Sequence, residues 1–253
     1  MANLVSDTFR TGNPALTAKT FDLDAAAGES AMTLNGTVFK TGLLLAVTAA
    51  AATFTWKQFL LGGPAATTPW MLGGVVGGLI VALVTVYWKQ AAPFTAPLYG
   101  ALEGLALGGI SAAFELRFPG IAVEAIGLTF GTLGALLLAY TSGLIKPSEN
   151  LKLGIVAATG AVALLYLCEM FLGFFKVAVP YIHQSGPIGI AFSAVVVVIA
   201  AFNLVLDFDF IEEGVRSRSP KYMEWYAAFG LLVTLVWLYL EILRLLAKLR
   251  SRD

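Results

Sequence analysis

With 253 residues, of which 58% are apolar and only 13% charged, the chain is far more hydrophobic than an ordinary soluble domain, in which roughly a quarter of the residues are charged. A soluble globule of this composition would have no way to cover its apolar surface, so we expect an integral membrane protein. The formal net charge is zero, and the chain has one cysteine and one histidine, so neither a nucleic-acid partner nor a His/Cys metal site is expected.

The N-terminal residues 1–36 are predicted to form a polar tail rather than a secretory signal. Arg10, Asp22 and Glu29 illustrate its mixed charges, whereas a signal peptide has a short basic start followed by an apolar core. Residues 250–253 are predicted to form a short basic tail at the other end of the chain.

Between the tails, residues 37–249 are predicted to form a bundle of transmembrane helices. A span needs about 20 mostly apolar residues, and continuous apolar runs favour helices over the alternating pattern of a membrane β-barrel. Seven segments qualify, at about 38–54, 70–87, 96–114, 121–140, 153–172, 188–206 and, longer than one span needs, within 223–246. The predicted fold class is therefore an all-α membrane protein with seven helices.

Glycine and proline mark both the connections and the contacts of these helices. Gly62-Gly63-Pro64 and Phe118-Pro119-Gly120 are typical helix breaks. Small residues four positions apart let two helix backbones approach closely. The glycines with this spacing include Gly100, Gly104 and Gly108 in the third helix and Gly127 and Gly131 in the fourth. We interpret them as sites of tight helix packing.

The distribution of lysine and arginine predicts a cytoplasmic N-terminus, because cytoplasmic loops are enriched in these residues. With the N-terminus inside, nine basic residues fall on the inner side and three on the outer side before the last helix. The end of that helix contradicts the rule, because seven spans would place Arg244, Lys248, Arg250 and Arg252 toward the outside. We nevertheless expect seven full spans.

Carboxyl groups within apolar helices are the candidate functional residues, because each costs about 2–3 kcal/mol or more to insert and such residues usually mark ion pathways. Those that qualify are Glu103, Glu169, Asp207, Asp209, Glu224 and Glu241. Two simpler interpretations remain open. Asp207 and Asp209 could both mark the water boundary of the sixth helix, and Glu241 could form a local ion pair with Arg244, three residues later.

Two of these stretches resemble the Bax inhibitor family of small multi-pass membrane proteins. Leu206-Asp207-Phe208-Asp209-Phe210-Ile211 is similar to the family's aspartate-bearing helix end, and residues 238–246, which contain Glu241, are similar to its second acidic motif. Met32-Thr33, Gly36 and Lys40-Thr41 resemble the start of a bacterial branch. The resemblance spans residues 32–249 and suggests the bacterial inner membrane.

The resemblance implies a fold in which the last helix is surrounded by the other six, and a calcium leak gated by a pair of carboxyl groups. Carried over by motif, the ion-binding and pH-sensing pair is Asp207 and Glu241. Two carboxyl groups close together in a low dielectric cannot both ionise cheaply, so they share a proton and titrate as a unit. Their oxygen atoms are also ligands that calcium prefers.

The chain departs from the family pattern at Glu241, where the family normally has aspartate, and in the long separation of 34 positions from Asp207. At 1.5 Å per residue, a helix that starts near Pro220 would place Glu241 about 32 Å along its axis. Simple hairpin geometry then favours Glu224 as the partner of Asp207, whereas the motif favours Glu241. Asp209, Glu224 and Glu103 are therefore secondary candidates.

The first functional hypothesis is a pH-sensitive calcium or cation leak protein, with the bilayer as its solvent and calcium or protons as the permeant species. The alternative is an interaction protein that modulates a membrane protease or another membrane complex without transport. A proton-coupled transporter ranks lower because no internal repeat is evident. No nucleophile and base pair is evident either, so no enzyme activity and no cofactor beyond a permeant calcium ion is expected.

Overall fold

The computed structural model describes residues 30–175 and 186–251. Most of the predicted N-terminal tail, residues 1–29, and the last two residues of the C-terminal tail lie outside this range. The described residues form an all-helical fold. Its helices are α1 (Leu34–Tyr87), α2 (Ala92–Arg117), α3 (Ile121–Thr141), α4 (Glu149–Phe174), α5 (Pro187–Arg216) and α6 (Met223–Arg250), with a short 3-10 turn at Lys89–Ala91.

The predicted count of seven membrane helices is not confirmed. Among the described residues, five helices are long and apolar enough to cross a membrane, namely α1, α3, α4, α5 and α6. The first two predicted spans both fall within the 54 residues of α1. The third corresponds to α2, which contains many glycine and alanine residues in place of large apolar side chains.

Local sequence explains where several helices begin and end. Thr33 caps α1, because its side-chain oxygen accepts a hydrogen bond of 3.1 Å from the backbone N–H of Gly36. Ser148 caps α4 in the same way. Gly120 has a φ of 85°, which glycine adopts at little cost, at the predicted break between α2 and α3.

The described helices are divided between two compact units. One contains residues 30–122 and 211–233, and the other contains residues 123–175, 186–210 and 234–251. Burial differs strongly among the helices. In α6, 67% of the most apolar stretch is buried, against 39% in α5 and at most 22% in α1, α3 and α4. The high exposure of α1, α3 and α4 is what contact with lipid would require of apolar helices.

In the first unit, the N-terminal half of α1 packs against the glycines of α2. A Cβ atom on Gly104 would collide with the backbone carbonyl of Thr48, and one on Gly108 would collide with that of Ala52. The predicted packing role of these α2 glycines is therefore confirmed. Because contacts on α2 advance as α1 advances, this half of α1 runs parallel to α2.

The C-terminal half of α1 runs in the opposite direction. Thr67 lies beside Gly109, whereas Gly78 lies beside Glu103, so contacts on α2 recede as α1 advances. The reversal occurs at Gly63, which has non-helical dihedral angles inside α1 (φ 67°, ψ −163°). The predicted break at Gly62-Gly63-Pro64 is thus a turn between two antiparallel helical halves, although α1 counts as one helix.

The packing predicted for Gly127 and Gly131 is wrong. Both lie on exposed positions of α3, and no described atom lies within 4 Å of a Cβ atom built on either of them. Four-residue spacing makes close approach feasible, but it does not determine which face of a helix meets a neighbour.

Candidate functional site

In the second unit, polar side chains recur at every seventh residue along one face of α4. Lys152, Thr159 and Tyr166 occupy these positions, while Ile155 and Val162 between them are apolar and buried. Residues seven apart on a helix share a face, and each interval rises about 10 Å. The face of α4 that meets its neighbours is therefore polar at regular depths.

Four groups of polar contacts follow one another along the helix axes, and we call each of them a level. Lys152 forms the first level. Its ammonium group lies 2.8 Å from Asp209 Oδ2 and 3.2 Å from Glu149 Oε1. Lys152 is buried, whereas a quarter of the Asp209 side chain and more than half of the Glu149 side chain are exposed. Asp209 thus sits near a polar boundary in an ion pair, which agrees with the boundary interpretation for this residue.

Asn203 of α5 forms the next level. Its Nδ2 donates hydrogen bonds of 2.8 Å to Thr159 Oγ1 on α4 and of 2.8 Å to the carbonyl oxygen of Ile199. Asn203 is 1% exposed. Its Oδ1 is buried and accepts no hydrogen bond from any residue in the described ranges.

Glu241 of α6 lies at a third level, paired with a cation of its own helix. Its carboxylate lies 2.9 Å and 3.0 Å from Arg244 Nη1 and accepts a 2.8 Å hydrogen bond from the Tyr166 hydroxyl. Arg244 also donates to the Tyr166 oxygen at 2.6 Å. The local ion pair foreseen as the simpler interpretation of Glu241 is confirmed.

The fourth level lies near the end of α6. Lys248 is buried and donates hydrogen bonds of 2.8 Å to Ser193 Oγ and 3.0 Å to the carbonyl oxygen of Gly189, both near the start of α5. Arg250 pairs with Glu124 of α3 at 2.7 Å. Three of the basic residues that contradicted the orientation rule are therefore engaged by groups of the protein itself.

Asp207 lies in α5 with no exposed surface. The interpretation that both aspartates mark the water boundary does not hold for this residue. Since Ser193 of α5 contacts Lys248 of α6, the two antiparallel helices bring Asp207 to the level of Thr234. That level is seven residues, or about 10 Å, from Glu241 along α6. A direct carboxyl pair of Asp207 and Glu241 stays a prediction.

Together these side chains form a polar seam in the second unit, with Thr159, Tyr166 and Arg244 partly exposed and the others buried. We use this name for the set Lys152, Thr159, Tyr166, Ser193, Asn203, Asp207, Glu241, Arg244 and Lys248. Sequence reasoning identified its carboxyl groups but missed Lys152, Thr159, Tyr166, Ser193 and Asn203. The heptad spacing on α4 was the signal that would have found three of them.

Glu224, the alternative partner of Asp207, lies in the first unit and is held there by several donors. The backbone N–H and the hydroxyl of Thr33 donate to its carboxylate at 2.8 Å and 2.7 Å, Lys221 lies 2.7 Å away, and Lys40 forms a further ion pair. Gly36 has no room for a Cβ atom against this carboxylate. These contacts connect the start of α1 with the start of α6, and we call them the clamp.

Glu103 also lies in the first unit. It hydrogen-bonds with Tyr99, one turn earlier on α2, and packs on the bare backbone of Gly78. Tyr99 in turn packs edge-on against Phe229 at 4.9 Å between ring centroids. Glu103 is thus partly enclosed among helices, with the Tyr99 hydroxyl as a polar neighbour.

The described ranges contain no preformed cluster of acidic side chains for a resident metal ion. Residues 30–175 and 186–251 contain no group of three or more histidine, cysteine, aspartate or glutamate side chains that could hold one.

Apolar helices of this length, with charged and amide side chains buried between them, define an all-helical integral membrane protein. The chain belongs to the Bax inhibitor 1 like family, whose model matches residues 13–251, nearly the whole chain. The resemblance inferred from the acidic motifs is therefore confirmed. No curated protein and no solved structure matches the chain.

Proposed function

We propose that this member of the Bax inhibitor 1 like family is a pH-sensitive leak protein for calcium or related cations. The observation that carries the proposal is Asp207, an acidic side chain that is fully buried within an apolar helix. Ionisable groups at such positions are costly, and they commonly mark ion pathways. The polar seam extends from Lys152 to Lys248 at successive depths and supports the same interpretation.

The expected pH dependence follows from the charge of Asp207. In the ionised form the carboxylate attracts a cation into the seam, and in the protonated form it does not. Flux should therefore rise as the pH increases and the carboxyl group loses its proton. Because Glu241 is balanced by Arg244, we assign it the role of holding α6 in position, and the sharing of a proton between Glu241 and Asp207 stays a prediction.

The proposed topology has seven spans, with the N-terminus in the cytoplasm and α6 in the centre of the bundle. The reversal at Gly63 supports two spans within α1, since 54 residues of straight helix would extend about 80 Å, far more than the roughly 30 Å of a hydrocarbon core. The high burial of α6 supports its central position. The pairing of Arg244, Lys248 and Arg250 with groups of the protein supports a topology in which the basic end of α6 lies on the outer side. The bacterial inner membrane is part of the proposal because Met32-Thr33, Gly36 and Lys40-Thr41 resemble the start of a bacterial branch of the family.

Reconstitution into liposomes tests the leak. The wild-type protein should let external calcium enter liposomes that contain a calcium-sensitive dye, and the rate of entry should increase with pH. Asp207→Asn should reduce the rate at least tenfold and abolish its pH dependence, and Glu241→Gln should reduce it less. Glu213→Gln, which removes a carboxyl group that pairs with the exposed Arg216 outside the seam, is the matched control. Equal flux in wild type and Asp207→Asn would contradict the role of Asp207.

The clamp at Glu224 favours a second candidate function. The backbone N–H of Met32 donates to the carbonyl oxygen of Ser219 at 2.7 Å, and Thr33 is held by Glu224, so the segment that precedes α1 is anchored at a defined place. Residues 1–29 precede this anchored segment, and we propose that they dock to a membrane protease or another complex. In that case cross-linking in native membranes recovers a partner, deletion of residues 1–29 abolishes its recovery, and liposomes show no flux.

A further inference from the structure

We propose that Glu103 is a proton-binding site of the first unit, at which a protonated carboxyl group joins α2 to the C-terminal half of α1. The proposal rests on the topology proposed above, in which α2 crosses the bilayer. It does not depend on the leak, because a proton-binding site of this kind needs no ion pathway.

Glu103 lies at the middle of α2. It is the twelfth of the 26 residues of this helix, and the basic residues Lys89 and Arg117 are each 14 positions away. At 1.5 Å per residue these positions are about 20 Å distant along the helix axis. In a helix that spans the bilayer, Glu103 is therefore far from both polar ends.

The segments that pack against this part of α2 in the first unit carry no acidic or basic residue. Gly104 lies against Thr48 in the N-terminal half of α1, and Glu103 itself lies against Gly78 in the C-terminal half. Helix α6 reaches the same part of α2 through the contact of Phe229 with Tyr99. Aspartate, glutamate, lysine and arginine are absent from the corresponding stretches of α1 and α6, residues 41–56, 64–87 and 225–233.

The titratable groups of these elements are tyrosines. Tyr99, one turn before Glu103, shares a hydrogen bond with it. Tyr226 of α6 packs against Phe229 with 6.2 Å between ring centroids, and the ammonium group of Lys89 lies 5.8 Å from the centre of the Tyr226 ring. Tyr87 is exposed at the end of α1. Glu103 thus meets a neutral hydroxyl at its own depth.

An ionised carboxylate has little to stabilise it in these surroundings. Burial of a charge without a pairing cation is so costly that an acid commonly takes up a proton instead, and an acidic residue within a membrane span is a functional candidate by default. The protonated group can share its hydrogen bond with the Tyr99 hydroxyl. The side chain of Glu103 is also partly exposed, so a reagent dissolved in the bilayer can reach it.

Gly78 is the contact of this carboxyl group with α1. A Cβ atom on Gly78 would lie 3.3 Å from Glu103 Oε2, so the bare backbone leaves room for the carboxyl group. An ionised carboxylate would require water at this place, and water would separate α2 from the C-terminal half of α1. Protonation of Glu103 therefore stabilises the contact between these two segments.

A membrane-soluble carbodiimide tests the site without a flux measurement. The carboxyl proton moves to a nitrogen of the reagent while the carboxyl oxygen bonds to its central carbon, and in the absence of water this adduct rearranges to a stable N-acylurea. Dicyclohexylcarbodiimide should label Glu103 of the reconstituted protein at neutral pH, as mapped by mass spectrometry of peptides. Glu103→Gln should lose the label.

Glu115→Gln is the matched control on the same helix. Glu115 lies near the end of α2, where its carboxylate accepts a 3.1 Å hydrogen bond from the backbone N–H of Ala122, and its replacement should leave the labelling of Glu103 unchanged. A water-soluble carbodiimide with a glycine ester should not label Glu103. Labelling by this second reagent, or no labelling by the first, would overturn the proton-binding site. Labelling as expected in a protein that passes no calcium would overturn the leak and retain the site.

Infrared spectroscopy provides a second measurement. The wild-type protein at neutral pH should show the carbonyl stretch of a protonated carboxyl group, and Glu103→Gln should lose that band. Tyr99→Phe should keep the band but shift it to higher frequency, because the hydrogen bond from the hydroxyl weakens the carbonyl bond. Identical spectra of the wild type and Glu103→Gln in this region would show that Glu103 is ionised, and the proposal would be wrong.

Discussion

Glu224 shows how the protein accommodates a buried charge at the scale of one residue. Its side chain is 1% exposed. The carboxylate accepts hydrogen bonds from the hydroxyl and the backbone N–H of Thr33 and forms ion pairs with two lysines. Hydrogen bonds to a charged group contribute about 1.5–3 kcal/mol each in net terms. Hence the clamp contributes to stability, whatever its role in function.

Glu224→Gln should lower the free energy of unfolding by about 2 kcal/mol, because it removes the charge that Lys40 and Lys221 balance while keeping the size of the side chain. Thermal unfolding in detergent measures the effect. Glu213→Gln is the control, since its partner Arg216 is 72% exposed and surface ion pairs contribute only about 0–1 kcal/mol. Equal destabilisation by both variants would show that the clamp is not a special contact.

Glu241 and Arg244 should behave as a coupled pair. Arg244→Met leaves the buried Glu241 carboxylate without its cation, and because the Arg244 side chain is itself 35% exposed, the loss should be smaller than the about 3–5 kcal/mol of a fully buried pair. The double variant with Glu241→Gln should recover part of that loss, because neither partner then carries an uncompensated charge. A double-mutant cycle of unfolding in detergent measures the coupling. Strict additivity of the two single effects would contradict the pair.

At the scale of helices, glycines with the same spacing have different environments on α2 and on α3. Gly104 of α2 lies against the backbone of α1, which cannot move aside easily, whereas Gly127 of α3 faces open space. Glycines four residues apart therefore pack against a neighbouring helix in α2 but are exposed in α3.

Gly104→Ala should destabilise the protein strongly or prevent its assembly, because the added Cβ atom collides with the carbonyl of Thr48. Gly127→Ala should be neutral or stabilising by up to about 1 kcal/mol, since alanine favours a helix interior over glycine. Size-exclusion profiles and thermal unfolding in detergent compare the two. A mild effect of Gly104→Ala would mean that α1 and α2 are less closely packed than described.

For the whole molecule, the pH dependence of flux distinguishes the two aspartates of the acidic end of α5, Asp207 and Asp209. Asp207→Asn should flatten the dependence of calcium flux on pH at a low rate, because the seam no longer gains a negative charge as the pH rises. Asp209→Asn, which changes a partly exposed carboxyl group two residues away, should keep the pH dependence. A pH profile measured with the same proteoliposomes decides between them. An unchanged profile in Asp207→Asn would place the pH sensor elsewhere.

The sequence by itself determined the class of protein, the family and most helix positions. Long apolar runs can only be accommodated in a bilayer as helices, so composition and spacing are sufficient for that conclusion. The glycine and proline breaks at Gly63 and Gly120 were also predicted, because the backbone conformations there favour glycine. The acidic residues were identified as candidates because charge within apolar helices is rare.

Only the tertiary structure decided what each of those candidates contacts. Glu241 meets Arg244 and Tyr166, and Glu224 meets Thr33 and Lys40, which are 191 and 184 positions away in the chain. Asn203 attracted no attention in the sequence, since one amide in an apolar run carries no pattern of its own. Its importance arises from α4 and α5 packing antiparallel, which brings Thr159 to one end of the amide and leaves the other end buried. Contacts between helices depend on which faces meet, and that is a property of the packed bundle rather than of any single segment.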